Sequence, residues 1–372
     1  MAASRAGSLT LARRRPLRTL VLGDLVLDVV LVPSVEIESA TDVPGRVEIR
    51  QGGSAANVAR WLARLGLRSQ LVCAIGRDGA GRSLVAQLER DGVAVRAIRV
   101  TGQRTGRIGV VVAPGGERSF VQDRRAALHL RPEDVKPEWF DRLDLLHLPV
   151  YSLLGEPLGR AGTRAVELAR DRGGLVSTDL ASVGPLLAGG RRAARELIGR
   201  IAPDLIFATE REAEALLGRY DADRLLEFAP IVVIKRGSRG ARVVARDGSG
   251  TVDTAGGNGA SGGSAESGSA ESGSAESVSA ESGDAAGTSG AIVAPGIPEP
   301  PPPLRFDVAT TPVPAVDTTG AGDAFDAGFI AGWLESRAAG TGAAAALHRA
   351  TVAGHRAAAR QLRAPRQELP PG

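Results

Sequence analysis

The fold is decided by one short stretch, Asp317-Thr318-Thr319-Gly320-Ala321-Gly322-Asp323-Ala324-Phe325, which follows a predicted extended segment at 311–316 and opens a strongly periodic helix. Two glycines at a helix N-terminus expose backbone N–H groups, and a helix start attracts negative charge. Phosphate can therefore bind there without any side chain. Asp323 would then lie beside a phosphate-binding loop. A phosphoryl-transfer enzyme needs a carboxylate in this position to take a proton from the attacking hydroxyl.

The composition is that of an intracellular globular protein. The 372 residues, 43% apolar and 24% charged, suffice for one large α/β domain or two ordinary ones. The lone cysteine, Cys73, excludes an internal disulfide and predicts a cytoplasmic location. The formal net charge is only +4, with arginines scattered among acids, so we predict no nucleic-acid partner. No segment approaches the roughly 20 apolar residues of a membrane span.

Three segments are predicted to lie outside the folded core. Residues 1–18, with the cluster Arg13-Arg14-Arg15, are expected to form a disordered basic leader, and 365–372 a tail. Residues 248–303 repeat Ser-Ala-Glu-Ser-Gly and end in four prolines. Such a composition buries too little apolar surface to offset its ordering entropy. We therefore expect one domain over 19–364, interrupted by a disordered insertion at 248–303.

Short apolar runs alternate with helical patterns along the rest of the chain. Four of these runs lie at 145–148, 175–178, 204–207 and 231–234. Strand–helix alternation predicts right-handed βαβ units and a parallel sheet covered on both faces. In such sheets ligands bind beyond the carboxyl ends of the strands, where the 317–323 segment is expected to lie.

Two motifs together resemble the signatures of the ribokinase-like (PfkB) carbohydrate kinases. The first is Gly52-Gly53-Ser54-Ala55-Ala56-Asn57-Val58-Ala59, closed by Leu65-Gly66, and the second is the 317–325 stretch. The resemblance covers about 20–364 apart from the insertion. It implies a three-layer α/β/α domain with a mostly parallel central sheet and a small β-sheet lid, here from about 29–50 and 95–120. It also implies a phosphotransferase that uses ATP and Mg²⁺ to phosphorylate an alcohol group of a sugar, sugar acid or nucleoside.

The resemblance assigns roles to the substrate side of the site. Asp323 would be the catalytic base, although an acid also suits the first turn of any helix. The anion hole would use the backbone N–H groups of Gly320, Ala321 and Gly322, which a tight glycine turn would explain equally. Substrate hydroxyls would bind to Asp28, with Asp24 as a rival, and turn capping is the alternative for both. Three further residues would lie against the sugar: Gly52, Gly53 and Asn57.

The nucleotide side is less closely matched. The family's Asn-x-x-Glu is Thr209-x-x-Glu212 here, which is also a helix capping box, and Glu212 would organise Mg²⁺ through water. The turn at 235–240 would contact ATP, with a plain hairpin turn as the alternative. The predicted nucleotide-binding residues are Thr209, Lys235, Gly237, Ser238, Gly240 and Gly322. Asp317 and Thr319 resemble a monovalent-cation (K⁺) site that some members have.

Competing functions are distinguishable on sequence. A dinucleotide-binding oxidoreductase needs G-x-G-x-x-G, but Phe325 occupies the third glycine position. A P-loop is absent from the sequence. A pseudouridine or other nucleoside kinase and a non-catalytic sugar-binding regulator on the same scaffold remain open. So does the oligomeric state, because the apolar 29–32 and 47–49 segments would suit a homodimer through the lid.

Overall fold

The computed structural model describes residues 15–113, 117–246, 301–315, 317–364 and 368–369. These residues contain thirteen strands and eight α-helices. Strands β1 to β13 are Arg18–Leu22, Val26–Pro33, Gly45–Gly52, Arg68–Gly76, Ala94–Val100, Arg107–Val112, Arg118–Asp123, Leu145–Pro149, Leu175–Asp179, Leu205–Thr209, Ile231–Lys235, Ala241–Ala245 and Leu304–Val308. Helices α1 to α8 are Ser54–Arg64, Gly79–Arg90, Leu158–Asp171, Val183–Leu186, Gly190–Ile201, Glu210–Leu217, Ala321–Ala338 and Ala343–Arg363.

Nine strands form a large sheet in the order β13-β12-β11-β10-β9-β8-β1-β4-β5. Six of its eight neighbouring pairs are parallel, and the pairs β11–β12 and β12–β13 are antiparallel. Strand β1 shows why both faces are covered, since Val21 packs into one apolar cluster while Leu20 and Leu22 pack into another. Helices α1, α2, α7 and α8 contribute to the first cluster and α3 to the second. The predicted three-layer, mostly parallel architecture is confirmed.

Helices α7 and α8 approach each other at backbone distance. A Cβ atom built on Gly328 would lie 2.6 Å from the Ala353 carbonyl oxygen, and one on Gly354 would lie 2.9 Å from the Phe325 ring. Only glycine fits at either point, so a larger side chain would push the helices apart. This packing fixes where the N-terminus of α7 sits above the sheet.

The remaining four strands form a small sheet in the order β3-β2-β6-β7, which covers the carboxyl edge of the large one. The predicted lid segment 95–120 was wrong for residues 95–100, which lie in strand β5 of the large sheet. Strand β5 pairs in parallel with β4, because Val95 and Ala97 pack against the main apolar cluster. Val47 and Val121 of the small sheet are 64% and 70% exposed. The homodimer through this sheet stays a prediction.

Several expectations fall outside the described residues. Residues 1–14 of the predicted leader, 248–300 of the insertion, and 365–367 and 370–372 of the tail belong to this group and remain predictions. The leader was wrong at its end, because Arg15 pairs with Asp144 at 2.6 Å and Arg18 begins β1. Residues 311–315, expected to be extended, carry no strand, and the strand preceding the glycine loop ends at Val308. None of the helices in the described ranges combines the length and apolar character that a bilayer crossing requires.

The insertion is predicted to be dispensable for folding. Its flanking strands are antiparallel neighbours, with Ala245 opposite Leu304. Deleting residues 249–303 leaves a three-residue connection, Arg246-Asp247-Gly248, whose glycine can adopt the left-handed conformation that such hairpin loops use. A shorter loop also costs less closure entropy. We expect one cooperative thermal transition by circular dichroism, with a Tm no lower than that of the full chain. A non-cooperative transition, or a Tm lowered by about 10 °C, would show that the segment packs on the core.

Candidate active site

The carboxyl edge of the large sheet opens into a cavity of about 700 Å³. Strands β9, β10 and β11 end there in Asp179, Thr209 and Lys235, all of which line the cavity. Parallel strands bring their carboxyl ends to the same edge, so polar residues distant in sequence converge. The small sheet closes the opposite wall with Asp28, Phe120 and other side chains.

The N-terminus of α7 points into this cavity. Gly320 adopts the left-handed conformation (φ 76°) just before the helix begins, and no side chain caps this helix end. Gly320 and Gly322 line the cavity, as expected of an anion hole. Ala321 differs from the prediction, because its N–H donates to the Thr318 carbonyl at 3.2 Å. The backbone N–H groups that remain for an anion in this loop are therefore those of Gly320 and Gly322.

Asp323 is bound by two donors from α1. The Ser54 hydroxyl donates to its Oδ1 at 2.6 Å, and the Asn57 amide donates to its Oδ2 at 2.8 Å. Burial raises the pKa of Asp323 above its ordinary value, while the hydrogen bonds from Ser54 and Asn57 act in the opposite direction. The carboxylate is thus oriented and more basic than a solvated aspartate, as a general base requires.

Asn57 has a different partner from the one expected. Its amide donates to Asp323, and its oxygen accepts from Gln51 at 3.3 Å, so in this structure it orients the carboxylate. Ser54, which performs the same task, was not among the predicted site residues. The available signal was its position at the start of α1, directly after Gly53.

Asp28 lies on β2, only 6% exposed, with the cavity in front of it. A Cβ atom on Gly52 would come within 1.8 Å of the Asp28 carboxylate, and one on Gly53 within 2.2 Å of the Asp24 carbonyl oxygen. Both glycines are therefore required by neighbouring protein atoms. Gly53 also lines the cavity, as expected for backbone approach to a sugar, whereas Gly52 lies behind Asp28.

Asp24, the rival of Asp28, is held by an arginine. Its two carboxylate oxygens accept from Arg124 at 2.7 and 2.8 Å, and the same guanidinium lies 5.6 Å from the centre of the Tyr151 ring. Asp24 thus serves to hold the cavity wall. Of the two acids, Asp28 has the better claim to substrate hydroxyls.

A buried charge cluster lies beneath the α7 loop. The Lys235 ammonium donates to Asp179 at 2.9 Å and to Asp326 at 3.1 Å. Burial lowers the pKa of Lys235, but Asp179, Asp326 and Glu212 outweigh burial and the pKa is raised. Burial also raises the pKa of Asp326 well above its ordinary value. Neither Asp179 nor Asp326 was predicted, although Asp326 interrupts the apolar pattern of α7 one turn after Asp323.

Thr209 and Glu212 form the capping box that was the alternative interpretation. The Glu212 N–H donates to the Thr209 hydroxyl at 3.3 Å, and the Thr209 N–H donates to Glu212 Oε2 at 2.8 Å. Burial, followed by the nearby Asp179, raises the pKa of Glu212. Both residues still line the cavity, so capping and a role near a metal are compatible for Glu212.

The carboxylates at the sheet edge suit a Mg²⁺ ion that shares its ligands with water and substrate phosphates. They do not form a site in which protein side chains supply every ligand. Asp179 and Glu212 line the same cavity as the α7 loop. Within the described residues no cluster of three or more His, Cys, Asp or Glu side chains is arranged to hold a metal. Mg²⁺ commonly binds through one or two carboxylates, its own waters and substrate phosphates. Asp179 and Glu212 could supply the carboxylates.

A second cavity, of about 320 Å³, lies on the other side of the α7 loop. Gly322 and Lys235 line both cavities, so the loop separates them. The β11–β12 turn and helices α7 and α8 line the second one with Gly237, Ser238, Gly240, Ala321, Phe325, His355 and Leu362. The turn forms the hairpin that was the alternative interpretation, and a Cβ atom on Gly240 would meet the Val308 carbonyl oxygen at 2.1 Å. The largely apolar wall suits a nucleobase.

Asp317 faces the small sheet instead of either cavity. Its Oδ2 accepts from Arg50 at 2.6 Å, and its Oδ1 accepts from Arg118 at 3.0 Å and from the Thr319 N–H at 2.8 Å. Arg118 also donates to the Thr318 hydroxyl at 2.6 Å. The two arginines, which sequence reasoning missed, connect the small sheet to the glycine loop.

Comparison with known proteins assigns the family. The model of the "pfkB family carbohydrate kinase" matches residues 18–256. The chain belongs to this family. Membership confirms the predicted phosphotransferase with a sugar alcohol group as acceptor. The matched range ends before Asp317, so the assignment of the α7 loop rests on its own sequence and geometry.

Similar proteins include plant fructokinases. Probable fructokinase-4 of Arabidopsis thaliana is 29% identical over 62% of this chain and 73% of its own length. Fructokinase-1 of Oryza sativa subsp. japonica is 31% identical over the same shares. The adenosine kinase of Sinorhizobium meliloti, 20% identical, superposes with a TM-score of 0.69 over 95% of this chain and 97% of its own. A putative ribokinase II from E. coli in complex with ATP and Mg²⁺, also 20% identical, gives 0.65 over 91% and 92%. The two structures share the fold.

The Ser54 hydrogen bond is predicted to set the pH below which kcat/KM falls. Ser54→Ala removes a donor that favours the charged carboxylate, so the pKa of Asp323 rises further. Since protonated Asp323 cannot accept a proton, kcat/KM should fall away at higher pH than in the unmodified protein. The measurement is kcat/KM against pH, with Ser119→Ala on the exposed strand β7 as control. If kcat/KM of Ser54→Ala falls at the same pH as in the unmodified protein, or at a lower pH, Asp323 is not the base that Ser54 assists.

Proposed function

We propose that this protein is an ATP-dependent kinase that phosphorylates a hydroxyl of a small sugar, with Asp323 as general base and fructose as the first substrate to test. The observation that supports this best is the carboxylate of Asp323, held by Ser54 and Asn57 at the start of α7, in the same cavity as Asp28. A carboxylate such as Asp28 can accept hydrogen bonds from two adjacent hydroxyls, which suits a polyol. The resemblance to fructokinases supports the choice of fructose.

The proposed reaction is an in-line transfer. Asp28 holds the sugar, the reacting hydroxyl gives its proton to Asp323, and its oxygen bonds to the γ-phosphorus as the bond from that phosphorus to the ADP oxygen breaks. The N-terminus of α7, with Gly320 and Gly322, stabilises charge developing on the phosphoryl oxygens. Mg²⁺, held near Asp179 and Glu212 through water, would neutralise the phosphates. The small sheet excludes water and so limits wasteful hydrolysis of ATP.

A nucleoside acceptor is the second candidate. Ile108, Phe120 and Tyr151 line the cavity near Asp28, and an aromatic ring can stack on a base as well as on the apolar face of a sugar. A non-catalytic regulator is disfavoured because Asp323 retains both of its orienting donors and the glycine loop beside it.

Substrate choice can be tested by coupled ADP release with MgATP across fructose, ribose, 2-keto-3-deoxygluconate, adenosine and pseudouridine. We expect fructose to give the highest kcat/KM. The highest value with a nucleoside would select the second candidate. No ADP release above the acceptor-free rate with any compound would reject the kinase proposal.

Removing the base should abolish turnover while leaving the fold intact. Asp323→Asn keeps the shape and the Ser54 contact but cannot accept the proton, so kcat should fall about a thousandfold or more. Asp123→Asn, on the exposed end of β7, should leave kcat within about twofold because surface ion pairs contribute little. Near-normal turnover by Asp323→Asn, with an unchanged Tm, would show that the role is misassigned.

A further inference from the structure

We propose that two arginines of the small sheet, Arg50 and Arg118, occupy the place of a monovalent cation at Asp317, so that this kinase works without K⁺. The catalytic part of this proposal rests on the proposed function of the α7 loop. Its binding part does not, because cation binding can be measured on any folded sample. The sequence resemblance suggests K⁺ at Asp317 and Thr319, and in the structure the Asp317 carboxylate and the Thr319 carbonyl both accept hydrogen bonds from protein donors.

The Asp317 carboxylate is surrounded by N–H groups. Arg50 donates to Oδ2 at 2.6 Å, and Arg118 and the Thr319 backbone donate to Oδ1 at 3.0 and 2.8 Å. A K⁺ ion needs oxygen lone pairs directed at it. Binding it here would require breaking charge-assisted hydrogen bonds that are among the stronger kinds in proteins.

Thr319, the other residue predicted for the cation site, also has its backbone carbonyl bound by a protein donor. It accepts from Gln361 Nε2 at 3.2 Å, and Gln361 Oε1 accepts from the Trp61 indole at 3.0 Å. An indole N–H can only donate, so it requires the Gln361 oxygen to face Trp61 and the NH₂ group to face Thr319. The amide orientation is thus set by chemistry, and it presents a donor where a cation would need an acceptor.

Arginines already outnumber the acids at this point. Arg50 pairs with Glu48 as well as Asp317, and Arg46 lies 3.6 Å from the other Glu48 oxygen. With Arg118 on Asp317, three guanidinium groups surround two carboxylates. The Arg50 and Arg118 side chains are only 13% and 10% exposed, so water screens them weakly. An added cation would meet two guanidinium groups at close range and be repelled.

This arrangement makes the lid responsible for ordering the loop. Arg50 lies on β3 and Arg118 on β7, the two edge strands of the small sheet, and both reach the segment just before Gly320. A cation from solution would order the loop wherever the small sheet lies. The two arginines order the loop only when the small sheet lies against it. Arg50 and Arg118 are therefore positioning residues for the anion hole.

Cation binding gives the first test. Thermal unfolding is compared in potassium nitrate and in tetramethylammonium nitrate of equal ionic strength. The protein in the tetramethylammonium salt is also titrated with thallium(I) nitrate, because Tl⁺ is a K⁺ substitute observed by thallium NMR. We expect Tm values within about 2 °C of each other and no saturable Tl⁺ binding. Saturable binding that Asp317→Asn abolishes would overturn the proposal, whatever the substrate turns out to be.

Kinetics give the second test, with fructose or whichever acceptor the panel identifies. We expect the kcat of the unmodified protein to change less than about twofold between the two salts. Arg50→Gln and Arg118→Gln should each lower kcat by about tenfold or more with a smaller change in the KM for ATP, because they disturb the loop before Gly320 while the Ser54 and Asn57 contacts of Asp323 stay in place. Arg107→Gln, at an exposed arginine on strand β6 of the same small sheet, is the matched control and should stay near normal. Strong K⁺ activation, or normal kcat in both variants, would contradict the proposal.

Discussion

The hydrogen bonds from Ser54 and Asn57 to Asp323 are the interaction on which the site depends, because they join the start of α1 to the start of α7. Both helices pack on one face of the large sheet, and Gly328 and Gly354 fix α7 against α8 at backbone distance. The base, the glycine loop and the carboxyl edge of the sheet therefore meet at one point. Each motif alone is a helix start, and a phosphoryl-transfer site arises only when the two face each other.

Charge around that point is dense but paired. Asp24 is held by Arg124, Asp317 by Arg50 and Arg118, and the lysine at the end of β11 lies between Asp179 and Asp326. Buried ion pairs seldom add stability once desolvation is counted, so we infer that these pairs serve to fix charges around the site. The pairing also gives the acids different tasks. Some hold walls and loops, while Asp323, with a raised pKa, is set up to receive a proton.

Much of this could be predicted from sequence because the signals are local. Apolar periodicity located α8 at Ala343–Arg363 and most strands of the large sheet, and the two glycine motifs located the starts of α1 and α7. The failures concern long-range contacts. Strand β5 has the alternation of any half-buried strand, so its residues do not reveal which sheet it joins. Asp179, Arg50, Arg118 and Gln361 likewise have no motif of their own, since their roles follow from the residues that folding places beside them.

The most direct measurement of the central claim is a crystal structure with MgADP, aluminium fluoride and fructose, which mimics the transferring phosphoryl group. The account predicts the fluoride group within about 3 Å of the backbone nitrogen of Gly320 or Gly322, and one fructose hydroxyl within hydrogen-bond distance of the Asp323 carboxylate. A fluoride group bound away from the α7 loop, or an Asp323 carboxylate directed away from the sugar, would contradict it.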